Sequence, residues 1–347
     1  MTTRTDPFPD STPAAQVCPD AEDFLDEGVP GRDANAPDQM ELNALRQVAF
    51  RTLRQIPHDN INLIAAGVAF FSVLAVFPGL TAAISLYGLF GDPSAISLQL
   101  DAVSDIFPDD VVNLVHNQMA RLMVEENGSL AFGVIFSTLI ALWSANNGIR
   151  TFSQALTIVH GETTRRGFFS ATLISLGLTM GALTFFLAAI ATMAVLPVWL
   201  SIVRLQNETE LVILGLRWLV LFSIVVGLAM AVYRWGPDRK SPRWRWLWPG
   251  AILGSLVWIV VSIIFSTLLR EFGLFNSTYG PLAAVIAMMF WFYLTAFIFL
   301  VGAELNVQLE RQTACDSTIG KRQPLGEREA VPADTLAGEP IDSSNNP

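Results

Sequence analysis

The chain alternates long uncharged apolar blocks with short charged segments. Nowhere does it show the roughly 10-residue runs of alternating apolar and polar positions that mark an outer-membrane barrel. A helix needs about 20 apolar residues to cross a bilayer core. Six stretches meet that need: about 61–90, 129–149, 168–196, 211–233, 246–269 and 281–303. The expected fold is therefore all-α, a polytopic membrane protein with six transmembrane helices, amphipathic flanking helices and disordered acidic tails. The expected organisation is a disordered acidic N-terminal tail over 1–39, a six-helix transmembrane domain over 40–310 and a disordered C-terminal tail over 311–347. Both tails carry little apolar surface to offset the entropy of ordering.

Two flanking segments repeat apolar residues at helical spacing. In 40–57, Leu42, Leu45, Ala49, Leu53 and Ile56 are read as one face, opposite Arg46, Arg51 and Arg54. That pattern suits a helix lying on an anionic leaflet, and it also suits a helix packed on the mouth of the bundle. In 94–125, Val111, Leu114, Val115, Met119 and Leu122 form a similar stripe, with acids on the polar side. The run WRWLWPG, 244–250, places three tryptophans at an interface.

Composition agrees with the pattern. Of 347 residues, 52% are hydrophobic and 15% charged, against about 25% charged in an average soluble domain. Mean hydropathy is +0.46. An ordinary soluble enzyme is thereby excluded. Charge then sets orientation. With six spans, 17 of the 21 Lys and Arg fall on the side of the two termini and four on the other. The positive-inside rule puts both termini in the cytoplasm. Cys18 and Cys315 would then sit in a reducing compartment, where no disulfide is expected. The net charge of −10 argues against nucleic acid as a partner. No CxxC or Cys/His cluster suggests a metal, and no secretory or lipoprotein signal is read.

Candidate chemistry lies in polar groups at membrane depth. Asn146, Asn147, Gly148 and Arg150 end the second stretch. They could hold a phosphate or carboxylate, since arginine binds such groups bidentately. Alternatively, Asn147–Gly148 is a helix stop and Arg150 an anchor. Asn276, Tyr279 and Gly280 lie in a polar run before Pro281. That run is either a broken segment lining a cavity or the cap of the sixth helix. Glu304 and Asn306 follow the sixth stretch, with Glu304 expected in an ion pair with Arg150 or with Arg239–Lys240. Asn62 and Pro78 mark the first stretch, where Pro78 is expected to kink the helix. Gly177/Gly181 and Gly250/Gly254 are GxxxG pairs suited to close packing in the bundle or a dimer. His58, His116 and His160 are scattered, and no nucleophile elbow, Walker loop or dinucleotide fingerprint is present.

AAGVAFFSVLAVFPG (65–79), WSANNGIRTFSQALTIVHG (143–161) and YGPLAAVIAMMFWFYLTAFIFLVGAELNVQLE (279–310) resemble the YihY family of inner-membrane proteins, also called BrkB or UPF0761. The resemblance covers about 45–310. It implies a bacterial inner-membrane protein. Family members are variously described as transporters, complement-resistance factors and, by an older label, a ribonuclease. The expected function is transport or translocation of an envelope lipid or other amphipathic or anionic compound, through a path lined by Asn146, Asn147, Arg150, Asn276 and Tyr279. The alternative is a non-catalytic envelope scaffold or virulence-type factor. An enzyme is not expected, because the cytoplasmic loops are too short to fold a nuclease site. No cofactor is expected. Membrane lipids are the expected partners, with a homo-oligomer left open.

Overall fold

The computed structural model describes residues 28–90, 127–167, 169–185, 207–271 and 282–338. Helices dominate these residues, and they contain no strand beyond an isolated bridge between Pro242 and Thr318. The helices are α1 (Leu42–His58), α2 (Ile61–Phe90), α3 (Asn127–Val159), α4 (Phe169–Phe185), α5 (Asn207–Trp235), α6 (Trp248–Glu271), α7 (Leu282–Glu310) and the single turn α8 (Val331–Asp334). Among the described residues, two helical segments are by themselves long and apolar enough to cross a membrane, Trp248–Leu269 and Val285–Glu310. Leu42–His58 with Ile61–Val76 forms a third, bent by 66°. Phe169–Phe185 and Leu219–Trp235 are shorter apolar helices. The described residues thus hold two or three such helices, where six spans were expected.

The bend between α1 and α2 has a local cause. Asn60 adopts φ +52°, the left-handed region, which asparagine tolerates better than most residues. Its own carbonyl then accepts from the Leu63 and Ile64 amides and starts α2 in a new direction. Pro78 lies inside α2, which continues to Phe90.

The core sits where the helices converge on α7. Ile61, Ala65 and Val68 of α2, Leu156 and Val159 of α3, Val232 and Tyr233 of α5, and Leu300, Ala303 and Val307 of α7 are all buried there. The exterior of α3, α4, α6 and α7 is apolar. Trp143, Leu173, Val260, Ile263, Ile264 and Phe290 are exposed. So wide an apolar exterior does not face water in a stable protein.

α6 and α7 touch through glycine. A Cβ built on Gly250 would fall on the Gly302 carbonyl oxygen, and one on Gly302 would lie 2.7 Å from the Gly250 carbonyl. Asn306 locks the contact. Its Oδ1 accepts from the Gly250 amide at 2.8 Å, and its Nδ2 donates to the Leu247 carbonyl at 3.1 Å. The expected Gly250/Gly254 pair is therefore half right: Gly254 meets Phe299 only at ordinary contact distance. A Cβ built on Gly177 or Gly181 meets nothing within 4 Å among the described residues.

Several expectations change at the chain ends. Residues 28–40 and 311–338, expected to lie mostly in disordered tails, are packed against each other and against the 236–246 loop. Ala314 donates its amide to the Arg32 carbonyl, Ala337 to that of Arg311, and Ile319 to that of Ser241. Arg328 is fully buried and ties the segment together, donating to the Ala333 and Ala314 carbonyls at 2.7 Å each and to Gln323 at 3.1 Å. Hydrogen bonds here replace the apolar surface whose scarcity suggested disorder. Cys315 is buried and disulfide-bonded, where reduced thiols were expected. Of the three tryptophans in 244–250, Trp244 and Trp248 are exposed but Trp246 is buried beside Met40, Val48 and Leu309.

The α1 face also differs from the expected one. Ala44, Val48 and Thr52 are buried, while Leu42, Leu45 and Leu53 point outward with Arg46 and Arg54 beside them. Only Arg51 turns inward. The 94–125 stripe lies outside the described residues.

Candidate functional site

α3 does not stop at Asn147–Gly148. It runs on to Val159, with Thr151 Oγ1 donating to the Asn147 carbonyl at 2.8 Å. The true stop is His160–Gly161. Gly161, at φ +68°, donates its amide to the Ile158 carbonyl, and Glu162 donates to that of Thr157. These two bonds form a Schellman cap. Asn146, Asn147, Gly148 and Arg150 therefore sit within a helix, facing neighbours.

Those neighbours form a polar seam. Asn146 Oδ1 accepts from Ser175 Oγ of α4 at 2.8 Å. Thr179 Oγ1 donates to the Ser175 carbonyl one turn on, at 2.7 Å. Ser144 is fully buried, and its hydroxyl has no partner among the described residues. Gly148 is buried against α2, where an added Cβ would stand 3.7 Å from Ser72 Oγ. Arg150 is half-buried, one turn beyond Asn146 on the same side of α3. Polar groups thus lie on two sides of α3, with Ser144 one turn before Gly148 on the side of α2 and Asn146 bonded to Ser175 on the side of α4. Asn276, Tyr279 and Gly280 lie outside the described residues. Asn62 is elsewhere, exposed on α2 with its Oδ1 accepting from Tyr293 Oη of α7 at 3.3 Å.

A second polar cluster lies where α1, α3, α5 and α7 end. Arg239 and Glu310 form an ion pair at 2.7 Å with both side chains fully buried. Ser317 Oγ donates to the same carboxylate oxygen at 2.8 Å. Glu304 does not join this pair, contrary to expectation. It is fully buried, accepts from Gln308 Nε2 at 2.8 Å, and lies within hydrogen-bonding reach of the Asp59 carboxyl at the α1–α2 bend. Asp59 was not legible as a neighbour of Glu304, because the left-handed turn at Asn60 sets their proximity. Beside Arg239, burial holds His160 well below the usual histidine range, at about 3, with the Arg239 charge adding to the effect. His160 is thus neutral, and its Nδ1 donates to the Leu156 carbonyl at 2.6 Å. Glu162 is pushed up by burial, and its Oε1 accepts from the Val331 amide of α8 at 2.7 Å. Asp238 accepts from the Arg165 and Arg166 amides and pairs with Arg166 Nε at 3.2 Å. These contacts clasp the loops and the C-terminal segment into one cap. Among the described residues, no group of His, Cys, Asp and Glu is arranged to hold a metal ion.

An all-helical chain with a wide apolar exterior, an internal polar seam and a charged cap is built as a membrane protein. It matches the family described as Virulence factor BrkB over residues 52–326. The chain belongs to that family. It is 28% identical over 257 residues to the ribonuclease-like protein YfkH of Bacillus subtilis (strain 168), covering 72% of this chain and 90% of that one. It is 25% identical over 268 residues to a UPF0761 membrane protein of Vibrio atlanticus (strain LGP32), covering 75% and 81%. A UPF0761 membrane protein of Vibrio cholerae O1 El Tor is 26% identical over 274 residues, covering 76% and 88%. No solved structure matches the chain.

Proposed function

We propose that this chain is a six-helix, multi-pass protein of the bacterial inner membrane that translocates an envelope lipid or another amphipathic, anionic compound. It does so without catalysing a reaction on its cargo. The six helices are α2 to α7, each covering one of the apolar stretches in part or whole. The excess of Lys and Arg on one side favours cytoplasmic termini, against the oxidising side that the Cys315 disulfide by itself would suit.

The observation that carries the reading is the Asn146–Ser175 hydrogen bond between α3 and α4, inside apolar helices. Polar groups at that depth are costly unless they serve a passing polar group or each other. A headgroup moving along the seam would exchange hydrogen bonds with these side chains and meet Arg150 at the capped end. Its acyl chains would stay on the apolar exterior. Nothing in the reading needs an energy source, so a facilitator or scramblase fits it.

The test is transbilayer movement of fluorescent phosphatidylglycerol in liposomes holding the purified protein. Removing one hydrogen-bonding group from a path costs about 1–3 kcal/mol, so Asn146→Leu should slow flux about fivefold or more. Flux equal to that of protein-free liposomes, or unaffected by Asn146→Leu and Arg150→Gln, would refute the reading. The scaffold reading is favoured by the ordered cap of 28–40 and 311–338. It predicts that truncation at 311 abolishes function in cells while the seam variants are tolerated.

A further inference from the structure

α1 contains three arginines and no acid. Their side chains part ways. Arg51 points into the protein, where Nε donates to Gln308 Oε1 at 3.1 Å and the guanidinium also bonds the Gln312 side chain. Burial, together with Arg311 and Arg32 nearby, lowers it to about 10, still charged at neutral pH. Arg46 and Arg54 stay exposed. The Arg54 guanidinium lies 5.7 Å over the Phe50 ring.

Large apolar side chains surround these two cations. Leu42 is 84% exposed, Leu53 65% and Phe50 61%. An open groove of about 780 Å³ runs along this side, lined by Pro30, Asn43, Arg46, Gln47, Phe50 and Leu53. Its size is that of a small-ligand site. One part offers a guanidinium and two amides, and the other offers an aromatic ring and a leucine. The 66° bend turns α1 away from the axis of α2, and exposed Leu63, Phe70 and Leu74 continue the apolar exterior beyond the bend.

We propose that this side of α1 binds an anionic phospholipid of the leaflet on which the helix lies. The headgroup phosphate sits against Arg46, with Asn43 and Gln47 donating to it and Arg54 as the second cation. Arginine suits that role because its planar fork bonds two phosphate oxygens at once. The first acyl carbons cover Phe50 and Leu53. A lipid satisfies both halves of the groove, whereas a free phosphate satisfies only the polar half. The site stands apart from the translocation seam and holds whether or not cargo moves there.

The experiment is native mass spectrometry of the full-length protein, mixed with equal amounts of phosphatidylglycerol and phosphatidylcholine of the same chain length. The intact chain should retain phosphatidylglycerol selectively. Each of Arg46→Gln and Arg54→Gln should cut that preference about fivefold, the usual worth of one basic residue at an anionic surface. Both residues are exposed, so an unchanged melting temperature will show that the variants fold. Arg51→Gln removes the same charge from an inward position and should leave the preference intact. Equal retention of the two lipids, equal losses in all three variants, or displacement of the lipid by excess inorganic phosphate would each overturn the site. So would selective binding only after deletion of residues 1–27, since the acidic segment would then be the occupant in the intact chain.

Discussion

Replacing Gly250 with alanine tests the tightest helix contact in the protein. The added methyl would clash with the Gly302 carbonyl oxygen and stand 2.6 Å from Asn306 Oδ1. The obstacle is backbone, so α6 and α7 must move apart. Overpacking of this kind costs about 1–3 kcal/mol. Separation also strains the Asn306 bonds to Gly250 and Leu247, worth about 1 kcal/mol each. The expected loss is therefore about 2–4 kcal/mol. Gly302→Ala should behave alike, because its methyl would lie 2.7 Å from both the Gly250 carbonyl and Tyr233 Oη. Gly254→Ala should cost far less, its nearest neighbour being the Phe299 ring at 3.5 Å. Gly177→Ala meets nothing within 4 Å among the described residues and should be neutral or stabilising, since alanine is the better helix former by about 1 kcal/mol. The assay is thermal unfolding of the detergent-purified variants, followed by tryptophan fluorescence. Equal melting temperatures for Gly250→Ala and Gly254→Ala would refute the backbone contact. A loss in Gly177→Ala as large as that in Gly250→Ala would show that packing between copies dominates.

Three further outcomes follow from the cap. Glu310→Gln leaves the Arg239 charge buried without its partner and should cost about 3–5 kcal/mol, while Arg239→Met with Glu310→Leu should recover much of it, as read by unfolding of the single and double variants. His160 titrates near 3 folded and 6.5 unfolded, so the unfolded chain takes up a proton that the folded chain refuses. Stability should fall as pH drops from about 6.5, by up to about 1.4 kcal/mol per pH unit, and a difference profile against His160→Asn that stays flat from pH 6.5 to 4.5 would refute this. Cys315 should react with a thiol label in denatured protein only after reduction, and full labelling without reductant would contradict its disulfide.

The apolar blocks already settled that this is an all-helical membrane protein. Where an apolar block starts and stops depends on local composition alone, and α6 and α7 follow their blocks closely. The three motifs likewise placed the chain in its family. Asn146 and Arg150 stood out because a polar group in an apolar run is visible without knowing its neighbours. What those groups meet is another matter. Ser175 is distant in sequence from Asn146, and only the packing of α4 on α3 brings its hydroxyl there. Glu304 was read as one member of an ion pair, yet the turn at Asn60 puts Asp59 beside it, and Arg239 finds Glu310 instead. The arginines of α1 look alike in sequence and differ by which side of the helix α7 covers. The C-terminal segment seemed too polar to order, but buried arginines find backbone carbonyls that exist as a set only once the chain has folded. Composition acts along the chain, so the sequence determines the helices and the solvent they need. Hydrogen bonds and close contacts act between residues far apart in it, so the seam, the cap and the exposed face of α1 were decided by tertiary structure.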